Sequence, residues 1–435
     1  MFSADARLVE RPPGAVLFRR PSGTVTVEAF LHDAHAAAAL LPGAAPTVNL
    51  CRDRYTFAVA FAAAALRGQP CLLCGDMTPA TAVALATSHG AVIAHDEPGL
   101  QLAAPTVLVS PAARDRGSAP NPLIPAGQPA AVVSTSGSTG NPVPHRKLWG
   151  MLAGRSRAAG ERFGLHEGQP ATVVGTVPPQ HMYGFETTIL LPLHAASSTW
   201  CGPAFFPGDV HDALAAVPAP RVLVTTPLQL RGFKDMDVPP LQAAISATAP
   251  LDPALAAAVE ARWHAPVLEI YGATEAGSIA SRRTTDGEEW TAYPGIRLCH
   301  GADATAVHAP GADPVELMDQ LQPTPGGFRL LGRRGDLVKL GGRRASLSGL
   351  NRILTGLEGV SDGTFVVPDD LDQRSTARLM AVVVAPQRTT PGILADLRAR
   401  IDPVFLPRRV VRVDALPRNE LGKLPRQALL ALLQA

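Results

Sequence analysis

The sequence predicts an α/β fold: a large N-terminal domain of layered α/β subdomains, a hinge, and a small α+β C-terminal domain. Three observations carry this. Short apolar runs such as "PCLLC" and "AVIAH" alternate with helical stretches between about residues 47 and 94, and the alternation returns in "ATVVGTV", "RVLVTTP" and "APVLEIYG". Such alternation indicates largely parallel sheets covered by helices. A strand "AAVV" runs into the glycine-rich "STSGSTGNPVPHRKL", after a linker at residues 118–130. Near residue 333 the composition changes: "GRRGDLVKLGG" has four glycines in eleven residues and leads to "TFVVPDD" and "RLMAVVVAP", which read as strands beside helices. The domains are therefore placed at residues 1–333 and 334–435.

The 435 residues are 46% hydrophobic and 17% charged, enough to bury a core in two or more domains. A net charge of +2 without a basic block argues against nucleic acid as a partner. The 42 prolines suggest short elements and many turns. The opening residues lack an apolar run of signal-peptide length, and the helix candidate "FAVAFAAAAL" (residues 57–66) is too short to span a bilayer. The expectation is a protein of the cytoplasm that does not span a membrane. Five cysteines do not suggest a disulfide framework; Cys71 and Cys74 form a C-x-x-C without a second pair at zinc spacing and read as buried thiols.

Thr135, Ser136, Gly137, Ser138, Thr139 and Gly140 are all small, so a backbone there can approach a ligand, and successive free N–H groups can form an anion site. After Arg146 the spacing of Leu148, Met151 and Leu152 reads as a helix. Strand, glycine-rich loop and helix is a phosphate-binding arrangement; a Gly/Ser surface turn is the plain alternative. Five residues on from Gly137 stands Pro142, so the Walker pattern fails, and the dinucleotide G-x-G-x-x-G is absent.

Four segments then follow in order: "TSGSTG" at 135–140, "YGATE" at 271–275, "GRRGDLVKLGGRR" at 332–344 and "LPRNELGKLPRQAL" at 416–429. Together they resemble the adenylate-forming (ANL) superfamily of acyl-CoA synthetases, peptide-synthetase adenylation domains and luciferases. The resemblance implies the ANL adenylating-enzyme fold and two steps. ATP and a carboxylate give an acyl-adenylate and pyrophosphate, and a thiol then takes the acyl group. It also implies roles. The 135–140 loop wraps the β- and γ-phosphates, Tyr271 stacks on adenine, Thr274 bonds the α-phosphate and Glu275 holds Mg²⁺. "SATAPL", with Ala247, Thr248 and Ala249, lines the adenine and acyl pockets together with Gly272. Asp319, fourteen residues before Arg333, forms with it the pair for the ribose hydroxyls. Lys423 bridges the carboxylate and α-phosphate, and Gly335 is the hinge. Two departures stand out. Val143 occupies the place of the lysine in the family's "TGxPK", with Arg146 and Lys147 close by as a relocated phosphate clamp. His145 is equally open to a capping or packing role. "SGL" at 348–350 replaces the family's "EIE".

"TVPPQHMYGFETTILLPL" resembles the family segment that carries a histidine near the carboxylate. His181 fits that place, positioning the acid or gating the pocket, with Met182 and Phe185 as further substrate contacts. Amino-acid activators carry an Asp for the substrate ammonium where this chain has Met182, and an unpartnered buried ammonium is very costly. A neutral ring or acyl chain is the expected substrate. "STGNPVPHRKLW" and "NLCRDRYTFAVAF" further resemble the AMP ligases, or acyl carrier protein synthetases, of aryl polyene (xanthomonadin-type) pigment clusters. That resemblance implies an aryl acid such as a hydroxybenzoate and a holo acyl carrier protein as acceptor. The alternatives are an aryl- or acyl-CoA ligase and, in another class, a non-catalytic adenylate-binding module.

Overall fold

The computed structural model describes residues 4–73, 75, 77–111, 119–135, 143–301, 304–310, 313–333, 337–340, 343–368, 378–418 and 424–434. The chain forms two compact units, one of residues 1–287, 291–299 and 306–315, the other of 288–290, 300–305 and 316–435.

The larger unit is layered around two sheets. In the six-stranded sheet, four parallel strands (Cys71–Leu73, Thr47–Asn49, Val92–His95 and Thr106–Leu108) continue from β1 (Pro129–Thr135), and β2 (Val143–Leu148) closes the edge antiparallel to β1. Pro144 lacks a donor N–H, and an edge strand is where a sheet tolerates that. The helix expected after Arg146 starts later. Residues 143–148 pair with β1, and α1 runs Trp149–Arg162, burying Met151 and Leu152. The spacing of those two residues was helical, but Leu148 still belongs to the ladder.

The second sheet of this unit has a parallel centre: Ser197–Trp200, Ala171–Gly175, Arg221–Thr225, Ala243–Ser246 and β3 (Val267–Ala273) are neighbours in that order. β4 (Gly277–Arg283) then turns back antiparallel on β3. Their buried runs of Val, Leu and Ile are what a sheet covered on both faces requires. Helix Arg54–Leu66 is buried nearly all round, so it is an internal helix of the unit; Asp53 caps it by accepting from the Thr56 N–H. Many prolines stand in the first turn of helices, as at Pro79, Pro207, Pro227 and Pro253, where no partner for the missing N–H is needed.

In the smaller unit, β5 (Asp319–Thr324) and β6 (Gly327–Arg333) form a hairpin. A three-stranded sheet of Asp362–Val366, Met380–Val384 and Arg409–Arg412 packs with helices Leu347–Thr355 and Thr390–Arg398 around Leu354, Phe365, Val383, Ile393 and Leu397. The architecture is the expected one: α/β layers in a large unit and α+β in a small one. No helix among the described residues is long and apolar enough to cross a membrane.

Candidate active site

Thr135 and Val143 are register partners at the open end of the β1–β2 ladder. The two ends of the segment 136–142 are thereby held side by side; Ser136, Gly137, Ser138, Thr139 and Gly140 themselves lie outside the described residues. Along β2 the side chains alternate. Pro144 and Arg146 are exposed, and His145 and Lys147 turn inward. Lys147 is fully buried, and its Nζ donates to the carbonyl of Glu275 at 2.7 Å. Arg146 therefore stays on the open face, where a phosphate could be met, whereas the Lys147 ammonium is committed to the backbone of another motif. Burial, the largest influence, lowers the Lys147 pKa to about 8, although Glu186 and Glu275 oppose the shift. Burial and the Lys147 charge also depress His145.

The second motif is the turn between β3 and β4. The ladder slips by one residue between Tyr271 and Gly272, which re-aims the backbone where the motif begins. Gly272 is exposed, and a Cβ there would stand 2.6 Å from the Gly277 carbonyl oxygen, so only glycine fits. Tyr271 is buried, while Thr274 and Glu275 are half-buried at the turn. The half-exposed Glu275 carboxylate is a hard oxygen donor and fits a Mg²⁺ ion. Among the described residues no cluster of three or more His, Cys, Asp or Glu could hold a metal by itself. One carboxylate plus substrate phosphates is the usual Mg²⁺–nucleotide arrangement.

Strand Ala243–Ser246 delivers the third motif. Ala247 is buried, and Thr248 follows at φ +80°, a conformation that β-branched residues resist. The Thr248 hydroxyl is buried with no hydrogen-bond partner among the described residues. Backbone strain of this kind clusters at functional sites, which agrees with the place of Thr248 in this motif. Ala249 is exposed.

His181 stands at the N-cap position of a short helix, Met182–Gly184, that runs into a π-helical turn, Phe185–Leu190; π-turns are frequent at functional sites. His181 and Met182 are half-buried, and the Met182 methyl lies 3.6 Å from where a Cβ on Gly277 would stand, beside the β4 edge of the turn. Phe185 departs from expectation. Its ring is fully buried edge-on to Phe61 at 4.9 Å and to Phe57 at 6.4 Å, so it is a core residue and not a wall of the substrate pocket.

In the smaller unit, Asp319 and Arg333 are register partners across the β5–β6 ladder, with Asp319 largely buried. The fourteen-residue spacing thus becomes a cross-strand pair. Gly335 and Lys423 lie outside the described residues, as does Cys74; Cys71 is buried, which pushes its thiol up to about 12.

Three residues around the turn were missed. Arg155 is 5% exposed, and its Nη2 donates to the Ala276 carbonyl at 3.2 Å. Glu186, 8% exposed, accepts from the Ser278 N–H at 3.2 and 3.3 Å and from the Ser278 hydroxyl. The third, Tyr293, is buried with its hydroxyl unpartnered among the described residues. A signal existed for the first two. Arg155 falls on the apolar stripe of Met151 and Leu152, and Glu186 interrupts an apolar run; a charge in such a place needs a partner.

The chain matches the family model of the AMP-binding enzymes over residues 11–316. It is 30% identical over 311 residues to a 4-coumarate–CoA ligase of Rhodobacter capsulatus, covering 67% of this chain and 74% of that protein. Against a 4-chlorobenzoate–CoA ligase of an Arthrobacter species it is 26% identical over 354 residues, 69% of this chain and 65% of the other. In fold it is similar to ATP-bound MatB from Rhodopseudomonas palustris, with a TM-score of 0.81 at 19% identity over 96% of this chain and 95% of that one. The o-succinylbenzoate CoA synthetase MenE of Bacillus subtilis, solved with its acyl-adenylate intermediate, gives 0.80 at 16% identity over 96% and 95%.

Proposed function

We infer the function from one premise: the chain belongs to the AMP-binding enzyme family. It is an acid-activating ligase of the acid–thiol type. The first step joins a carboxylate oxygen to the α-phosphorus of ATP and expels pyrophosphate. The proposed roles are adenine for Tyr271, the ribose hydroxyls for Asp319 and Arg333, and the α-phosphate for Thr274. The loop 135–140 and the exposed Arg146 receive the outer phosphates. When bound, Mg²⁺ would neutralise phosphate charge, and Glu275 is the residue to hold it. Lys423 supplies the fixed positive charge where carboxylate and α-phosphate meet, and such preorganised charge is the main source of rate in a reaction of this type.

The proposed acid is an aryl acid. Its support is the likeness to ligases named for 4-coumarate and 4-chlorobenzoate. The observation that carries the choice against amino acids is Met182, half-buried beside Gly277 at the edge of the turn, which offers no partner to a substrate ammonium. For the acceptor, the same relatives support the CoA thiol. The carrier-protein reading draws its support from "STGNPVPHRKLW" and "NLCRDRYTFAVAF" alone, as does the likeness to pigment-cluster enzymes. His181 positions the acid or gates its pocket.

The test is pyrophosphate exchange with a panel of aryl, alkyl and amino acids, followed by thioester formation with free CoA and with a holo carrier protein at matched concentration. Exchange with aryl acids and thioester on CoA support the proposal. Exchange led by amino acids removes the aryl reading, and loading of the carrier without CoA thioester transfers the acceptor to the carrier protein.

A further inference from the structure

Three buried ionisable side chains from three different elements converge on the backbone of one turn. Lys147 of β2 donates to the Glu275 carbonyl at 2.7 Å, and Arg155 of α1 donates to the Ala276 carbonyl at 3.2 Å. Glu186 of the π-turn accepts from the N–H of Ser278. The residue between, Gly277, sits at φ +75° with Glu186 Oε1 only 2.7 Å from the place of a Cβ. Residues 275, 276 and 278 are therefore each held by a buried ionisable side chain, and Gly277 between them has no room for a Cβ. We propose that Lys147, Arg155 and Glu186 are positioning residues for adenylation, holding this turn so that Thr274 and Glu275 meet the Mg²⁺–nucleotide in one fixed geometry.

Desolvating two cations and a carboxylate is costly, and apolar side chains of similar volume would fill the space without that cost. What the charges give in return is direction. Hydrogen bonds in which one partner is ionised are stronger than neutral ones, and the Lys147 bond, at 2.7 Å, is the short one of the backbone contacts. All three end on backbone atoms of the turn, so their strength goes into its shape. A shift of about 1 Å at a reacting group costs roughly a hundredfold in rate.

This rests on the proposed roles of Thr274 and Glu275, and the experiment separates the two levels. In the full chain, Lys147→Met, Glu186→Gln and Glu275→Ala are compared with the wild type. Acid-dependent pyrophosphate exchange is measured against Mg²⁺–ATP and against acid separately, together with the rise in melting temperature that Mg²⁺–ATP confers. The expected result for Lys147→Met and Glu186→Gln is a loss of about ten- to a hundredfold in kcat/KM for Mg²⁺–ATP. The KM for acid stays within about twofold of wild type, and the Mg²⁺–ATP melting shift becomes smaller. Glu186→Gln keeps size and shape, so it carries the test should Lys147→Met fail to fold. Unchanged exchange and an unchanged melting shift in a folded variant, alongside a disabled Glu275→Ala, overturn the positioning role. Full exchange in Glu275→Ala overturns the reading of Glu275 itself, and the positioning role with it.

Discussion

The ammonium of Lys147 lies 2.7 Å from the carbonyl oxygen of Glu275, a link between strand β2 and the turn between β3 and β4, 128 residues later in the chain. The bond joins the strand that follows the 135–140 segment to the 271–275 segment. It also places a charge where water does not reach.

The pH dependence of stability follows from that burial. Unfolded, Lys147 keeps its proton up to about 10.5; folded, it releases it near 8. Between these values the unfolded chain binds more protons, so this residue makes stability rise with pH across that window. Below pH 8 both states are charged, and the folded surroundings as a whole disfavour that charge by about 3 kcal/mol. Facing the ammonium are Glu186, Glu275, Arg155 and, on its own strand, His145. Lys147→Met should show a flatter stability profile between pH 8 and 10, with a midpoint at pH 7 no lower than wild type. The measurement is urea unfolding at three pH values; an equal slope in both proteins contradicts the assignment.

Thr248 stores strain. At φ +80°, with a buried hydroxyl that has no partner among the described residues, it should cost on the order of 1 kcal/mol, part of which glycine would recover. Thr248→Gly should therefore fold with equal or slightly higher stability while exchange falls about tenfold. Denaturation and exchange kinetics check this together, and a variant both less stable and fully active would show that the strain serves packing.

Gly277 leaves no room for a methyl. Gly277→Ala combines a positive φ with contact to Glu186 Oε1 at 2.7 Å, so it should lose about 2 kcal/mol and most exchange activity. Paired with Glu186→Ala, which opens the space, the loss should be less than additive. Strict additivity in unfolding experiments would place the strain elsewhere.

Much of the plan was legible in residue order. The apolar runs gave the parallel strands, and the fourteen-residue interval between Asp319 and Arg333 became a cross-strand pair because a hairpin folds that interval back on itself. What stayed hidden was non-local. Nothing near Lys147, Arg155 or Glu186 in sequence says that they meet residues 92 to 128 positions away. Two local signals misled. Helical spacing at Leu148, Met151 and Leu152 was real, but pairing with β1 claimed the first of them. Phe185 sits in a segment expected to touch the substrate, yet the π-turn directs its ring to Phe57 and Phe61.

Lys423 should act in one half-reaction. Removing a preorganised charge from the adenylation transition state costs on the order of 3 kcal/mol, about two powers of ten. Lys423→Ala should nearly abolish adenylate formation and leave thioester formation from synthetic acyl-adenylate largely intact. Gly335→Pro should do the reverse, since a fixed φ would restrict rotation at the proposed hinge. Equal slowing of both half-reactions by Lys423→Ala contradicts a step-specific role.

The decisive measurement is ATP–pyrophosphate exchange by the purified wild-type chain with and without an aryl carboxylic acid. Exchange that needs the acid and Mg²⁺, and that falls about a hundredfold in Lys423→Ala, is the expected result. No acid-dependent exchange with any carboxylic acid, in a protein that still gains melting temperature from ATP, would mean that the chain binds the nucleotide without activating an acid.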